Sequence, residues 1–254
     1  IHRGAGHLPG DSPWLYAKLF GHPARQTELL TVTLPALLSD WEHGNPDDWW
    51  FIRYNSPTPH LRVRLPLHDR DRYGAAVRAF GRWARALHDD GLLCEVTLDT
   101  YRPETGRFGT GPALTAAEAV FAADSAVAVA QLRTAANAQA ATAGSLVSLA
   151  TGLLDSGGPQ WLVQHIGHGG APALDREVLA QARQQTSVPR EVLERRRTAL
   201  IDYRALLDVR DVDPVLADLL HLHHARMIGI DAVSERTCMR LARAIAQTLI
   251  TRGR

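Results

Sequence analysis

FIRYNSPTPHLRVRLPL, residues 51–67, is the stretch that decides the fold. Two runs of aromatic and aliphatic residues flank a break, NSPTPH, that holds two prolines; the second run, LRVRL (61–65), alternates strictly. A period of two marks a strand, and a Pro-rich break between such runs reads as a turn. Two neighbouring strands are predicted, over 49–54 (WWFIRY) and 61–65. Alternation puts Leu61, Val63 and Leu65 on one face and Arg62 and Arg64 on the other. Three cations, Arg53, Arg62 and Arg64, in an otherwise apolar pair of strands raise the question of what they serve.

On the N-terminal side, WLYAKLF (14–20) is a further predicted strand. Pro23 fits the first position of a helix, in which Leu30, Leu34, Leu37, Leu38 and Trp41 recur at helical spacing. Pro35 lies inside that pattern and predicts a kink or a split. On the C-terminal side, Tyr73, Val77, Phe80, Ala84 and Leu87 form a helical stripe that Gly91 ends, and LLCEVTLDTY (92–101) alternates again. The order strand, helix, strand, strand, helix, strand is that of a split-βαβ, ferredoxin-like sheet.

Beyond GRFGTGPAL (106–114), the natural joint, the chain turns Ala-rich and helical. Thr115 and Glu118 are spaced as a capping box, and further helices are expected over 143–155, 175–185, 189–208, 214–228 and 232–251. The expected fold is α+β, one domain over 1–254, with the sheet in 14–101 and a mainly helical half, 113–251, packed on it. The apolar strand face should meet the two early helices. The arginine face is left for the helical half, for solvent, or for pairing with Glu95 or Asp99.

Composition narrows the function classes. Lys and Arg total 28 against 27 Asp and Glu, a net charge of +1, so no long-range field favours nucleic acid or an anionic membrane. No apolar run is read as approaching the ~18 residues of a membrane span, and no signal-peptide pattern opens the sequence; the expected location is cytoplasmic. Two cysteines, Cys94 and Cys238, are too few for a disulfide framework or a cysteine zinc site. There is no Walker loop, no GxSxG elbow and no GxGxxG after a strand, so no nucleotide or flavin cofactor is expected.

Two further clusters carry candidate chemistry. In TYRPETGRFGTG (100–111), Glu104 and Arg107 are either a local ion pair or an acid and a cation at a strand end, where glycines would let a substrate backbone approach. In LLHLHHARMIG (219–229), His221 and His224 share a helical face and His223 points away. A metal site lacks further ligands; the remaining readings are a solvated or core histidine and an acid–base histidine titrating near neutrality. His165 and His168 are read as residues of a Gly-rich loop.

In this order, WFIRYNSPTPHLRVRL, TYRPETGRFG, AEAVFAADS (117–125) and LLHLHHARMIG resemble the small C-terminal domain of class I lanthipeptide dehydratases, which also occurs as free-standing enzymes of thiopeptide biosynthesis. The resemblance covers about residues 14–249. It implies peptide maturation without a cofactor: a large partner domain glutamylates Ser or Thr of a leader-bearing precursor peptide from glutamyl-tRNA, and the small domain eliminates glutamate to leave dehydroalanine or dehydrobutyrine. By the same resemblance, Arg62 and Arg64 match the family's elimination arginines, Glu104 and Arg107 its Glu and Arg, and His221 its His. A second branch, the pyridine synthases, joins two dehydroalanines in a formal [4+2] cycloaddition, closing a macrocycle with loss of water and leader. Phe108, in place of the family's usual Tyr, and Ala225, in place of Asn, favour that branch; the five retained residues favour elimination. The expectation puts the pyridine synthase first, with the elimination subunit of a split dehydratase and a non-catalytic leader-binding scaffold as alternatives. It also places all five residues around one pocket between sheet and helical half.

Overall fold

The computed structural model describes residues 6–167, 173–184 and 188–252. Its sheet holds β1 (Trp14–Phe20), β2 (Trp50–Tyr54), β3 (His60–Pro66) and β4 (Glu95–Leu98) in the order β2-β3-β1-β4, every neighbouring pair antiparallel. Between β1 and β2 run α1 (Gln26–Glu28), a π turn (Leu29–Thr33) and α2 (Leu34–Ser39); between β3 and β4 runs α3 (Tyr73–Asp89). The rest is helical: α4 (Thr105–Phe108), α5 (Pro112–Thr134), α6 (Ala138–Leu154), α7 (Gly157–His165), α8 (Arg176–Ala182), α9 (Arg190–Leu206), α10 (Val212–Met227) and α11 (Ala232–Arg252).

The kink expected at Pro35 takes the form of the π turn. Pro35 has no N–H to offer the Thr31 carbonyl one turn back, and Leu34 N–H donates five residues back, to Leu29 O. The Thr31 carbonyl accepts instead from Arg133 Nε and Nη2 on α5, at 3.1 and 2.8 Å. A proline in one half of the chain is thus answered by an arginine in the other.

Alternation divides the sheet into two chemically different faces. Leu15, Ala17, Leu19, Phe51, Leu61, Val63 and Leu65 are buried against Leu30 and Leu34 on one side and Phe80 and Leu87 of α3. Each of the leucine, valine and phenylalanine side chains among them contributes roughly 1.5–3 kcal/mol on burial. A one-residue slip of β3 would bring Arg62 and Arg64 into that core, so the register is strongly specified. The opposite face offers Tyr16 and Trp50, which with Tyr101 join the core built by α5 to α11. The helical half therefore covers the arginine face.

Several sequence expectations are corrected. α5 is long and apolar enough to cross a membrane by length and composition, contrary to the reading that no run approaches that length; 56% of its most apolar window is buried in the fold, where its alanines admit close neighbours. It begins at Pro112, so Thr115 is no cap: its hydroxyl donates to Gly111 O and Glu118 accepts from Tyr101. α6 starts at Ala138, earlier than expected, because Asn137 caps it through Ala140 N–H. α7 was not expected; His165 closes it and stacks on Trp161. His168 lies outside the described residues.

Candidate functional site

Arg64 occupies the middle of the sheet, paired across strands with Tyr16 on β1 and Trp50 on β2. Its guanidinium carbon lies 4.0 Å from the Trp50 ring centroid, 4.5 Å from Tyr16 and 5.5 Å from Tyr101. The residue is 8% exposed. Nη1 donates to Arg62 O at 3.3 Å, and Nε is buried without a partner. Glu118 lies within electrostatic range, but its carboxylate accepts the Tyr101 hydroxyl at 2.5 Å and forms no ion pair with Arg64. Burial, with Glu118 beside it, pushes the Tyr101 hydroxyl far above its ordinary range, so it stays a neutral donor. Burial pulls Arg64 down to about 10, which leaves it charged at neutral pH. Among the described residues no carboxylate pairs with this guanidinium, and a desolvated cation held mainly by aromatic faces is costly.

Arg62 is half-buried next to it, stacked 3.5 Å over the Tyr54 ring and donating from Nε to His60 Nε2 at 3.1 Å. His60 Nδ1 lies 2.7 Å from Thr58 O; these partners assign the proton to Nδ1. The alternative that Glu95 or Asp99 neutralises the arginines is overturned: Asp99 pairs with Lys18 at 2.5 Å and Glu95 accepts from Thr97. Arg53, the third cation, is structural. It points to the opposite face and donates to Arg226 O (2.8 Å), Gln26 Oε1 (3.3 Å) and Thr27 Oγ1 (3.1 Å).

The remaining expected site residues fall into two surface groups. Arg107 donates to Glu104 at 2.8 Å and to Asp218 of α10 at 2.7 Å, so the expected local pair is a triad across two helices. His221, one turn beyond Asp218, sets Nδ1 2.8 Å from Glu235 Oε1 on α11. The glycines that follow Arg107 serve the turn: Gly109 has φ +90°, and a Cβ there would lie 2.9 Å from that of Ala113. Phe108 is buried edge-on against Phe121, and its carbonyl accepts the Tyr203 hydroxyl.

Among the described residues no hydrogen bond or ion pair joins Arg62 or Arg64 to Glu104, Arg107 or His221; Tyr101, packed by Arg64 and three residues before Glu104, connects the two sides. A cleft of about 1020 Å³ opens instead among α7, α10 and α11, walled by Trp161, Ile166, Leu220 and Met239. None of the five expected residues lines it, but Glu235 does.

A buried polar cluster escaped the sequence reading. Asp124, 2% exposed on α5, accepts from Arg196 Nη1 (2.8 Å) and Arg226 Nη1 (2.9 Å), and lies 2.9 and 3.0 Å from His223 Nδ1. Arg226 Nε reaches Phe51 O and Ser125, and Arg196 reaches Ser145 and Ser148. His223 thus points into the core. Burial alone would raise the Asp124 carboxyl; His223 and the two arginines outweigh it and hold it well below the usual carboxylate range. Burial keeps His223 below its ordinary value in spite of Asp124. We therefore assign His223 as neutral, Nδ1–H donating, with the arginines as the counter-charge. An acid in an apolar helix, Asp124 in AVFAADSAVAV, was the available signal.

Comparison with known proteins follows the same outline. The profile of the family described as lantibiotic biosynthesis dehydratase C-term matches residues 14–246. Subtilin biosynthesis protein SpaB of Bacillus subtilis is 29% identical over 114 residues, 45% of this chain and 11% of that protein. Nisin biosynthesis protein NisB of Lactococcus lactis subsp. lactis is 31% identical over 115 residues, 44% of this chain and 11% of that protein. The match thus spans about a tenth of either relative's length. Among solved structures, the tRNA dependent lantibiotic dehydratase MibB from Microbispora sp. 107891 superposes with a TM-score of 0.78 at 23% identity, over 96% of this chain and 29% of that one. TbtD, the pyridine synthase from thiomuracin biosynthesis, superposes at 0.60 and 17% identity, over 94% of this chain and 99% of that one.

Proposed function

The chain belongs to the lantibiotic dehydratase C-terminal family, and from that premise we propose that it eliminates glutamate from glutamylated Ser or Thr of a leader-bearing precursor peptide, in concert with a partner domain that attaches the glutamate. The observation that carries this reading is Arg64: a charged guanidinium, buried, with Nε unbonded and no ion pair among the described residues. In the elimination the Cα–H bond breaks, its electron pair forms the Cα=Cβ bond, and the Cβ–O pair leaves on a new carboxylate. Negative charge then develops beside Arg64, whose Nε has no partner in the fold, and such stabilisation is strongest out of water. Arg62, partly exposed beside it, suits the leaving group's other carboxylate. His221, its Nδ1 engaged by Glu235, takes the α-proton on Nε2 and returns it to water. Arg107, held between Glu104 and Asp218, orients the peptide backbone at the same edge.

Formal [4+2] cycloaddition of two dehydroalanines is the second reading. The buried Phe108 and Ala225, which bring no polar side-chain atom where the family carries Tyr and Asn, support it. That reaction expels no carboxylate and leaves the Arg64 charge without a task, which is why it ranks second here, a reversal of the order drawn from the sequence. We also read the sheet with its strand-connecting helices as ferredoxin-like, a reading supported by the order β2-β3-β1-β4.

Mass spectrometry on two substrates separates the readings. Loss of glutamate from a leader-bearing glutamyl-serine peptide is the expected result. Pyridine formation with release of leader from a peptide holding two dehydroalanines would replace it by the cycloaddition. Leader binding with neither change would leave a non-catalytic scaffold.

A further inference from the structure

Glu235 is outside every motif that the sequence offered, yet among the described residues it is the one side chain bonded to His221. Its place is fixed from both ends. α11 begins at Ala232, and Asp231 before it accepts the Val233 and Ser234 N–H groups on its carboxylate, at 2.9 and 3.0 Å, and the Glu235 N–H on its carbonyl at 2.9 Å. Gly229, at φ +108°, turns the chain back so that this first turn of α11 lies against α10. The Glu235 side chain is 23% exposed and that of His221 41%. The carboxylate is thus the more sheltered partner of the two. Nδ1 is engaged, while Nε2 has no partner among the described residues.

Which nitrogen of a neutral imidazole carries the proton is decided by the hydrogen bond that the other makes. Without a partner the proton sits mainly on Nε2. A carboxylate 2.8 Å from Nδ1 moves it to Nδ1 and leaves the Nε2 lone pair free at the exposed edge. That is the form able to accept a proton. The bond is not needed to join the two helices, because His224 Nε2 meets Ser234 Oγ at 3.3 Å beside it. The titratable neighbours on the same face of the helix have partners of their own: Asp218 pairs with Arg107, and His224, buried, meets Ser234.

We infer that Glu235 is a positioning residue: it holds His221 as the Nδ1–H tautomer, with Nε2 as the working base. The inference rests on the reading of His221 as the proton acceptor, and the experiment separates failure of the one from failure of the other. Nitrogen-15 NMR of the histidine rings, on the full chain without substrate, should show His221 protonated at Nδ1 in the wild type and mainly at Nε2 in Glu235→Ala. Glutamate release from a glutamyl-serine peptide should then fall about 10- to 100-fold in kcat with KM little changed, should recover in part in Glu235→Asp, and should not fall further when Glu235→Ala is added to His221→Ala. A wild-type His221 protonated at Nε2 overturns the inference. So does normal turnover in Glu235→Ala when His221→Ala is impaired, or an equal loss from Glu235→Ala in the His221→Ala background, which would mark a structural role. Normal turnover in His221→Ala itself would remove the base and, with it, the proposed reaction's use of this pair.

Discussion

At the scale of single residues, two buried arginine sites behave oppositely. Arg226 and Arg196 are matched by Asp124, and removing that carboxylate strands two cations in the core. Breaking a buried pair in this way costs roughly 3–5 kcal/mol, so Asp124→Ala should lose about that much in urea unfolding; a loss under about 1 kcal/mol would mean that the cluster is not the clasp described. Arg64 has no such match, so Arg64→Met, which keeps a long apolar side chain against Trp50 and Tyr16, should leave stability unchanged or raise it while abolishing turnover. The histidines add a pH dependence of definite sign. Burial holds His60, His223 and His224 below the ordinary 6.5, so the unfolded chain binds more protons than the folded one in the window just under that value. Stability contributed by these groups is complete above 6.5 and is lost as pH falls through that window. The melting temperature should therefore drop between about pH 6.5 and 5; a flat or rising profile there would contradict the neutral assignment of these rings.

At the scale of elements, what alternates was legible and what is answered from afar was not. The parity of LRVRL was enough to put Arg62 and Arg64 on the face away from α3, because one face of a strand is all a period of two needs to decide. The fate of Arg53 was not legible, since its acceptors sit on α1 and at the end of α10, up to 173 residues away. The same holds for Asp124, and for His223, whose carboxylate partner lies 99 residues away on α5. The Thr115–Glu118 spacing misled for a local reason: Pro112 starts the helix a turn earlier, and Tyr101 claims Glu118. The π turn offers a modest test at this scale. Arg133→Ala removes the donors from the Thr31 carbonyl at an exposed site, so the cost should be about 0.5–1.5 kcal/mol; a loss several times larger would mean that the Arg133 clasp organises the whole α1–α2 segment.

At the scale of the molecule, one sheet is sandwiched between two unlike layers. α3 and the α1–α2 segment bury its aliphatic face, and the helical half buries the face that carries Tyr16, Trp50 and Arg64. This arrangement takes a cation out of water with no carboxylate paired to it among the described residues, and in the proposed function that anion is the substrate's. The direct test is glutamate release from a leader-bearing glutamyl-serine peptide by the wild type and by Arg64→Met, with melting curves of both. The expected result is release by the wild type, a fall of about 10²-fold or more in the variant, and a variant that melts no lower than the wild type. A folded Arg64→Met that releases glutamate at the wild-type rate would contradict it.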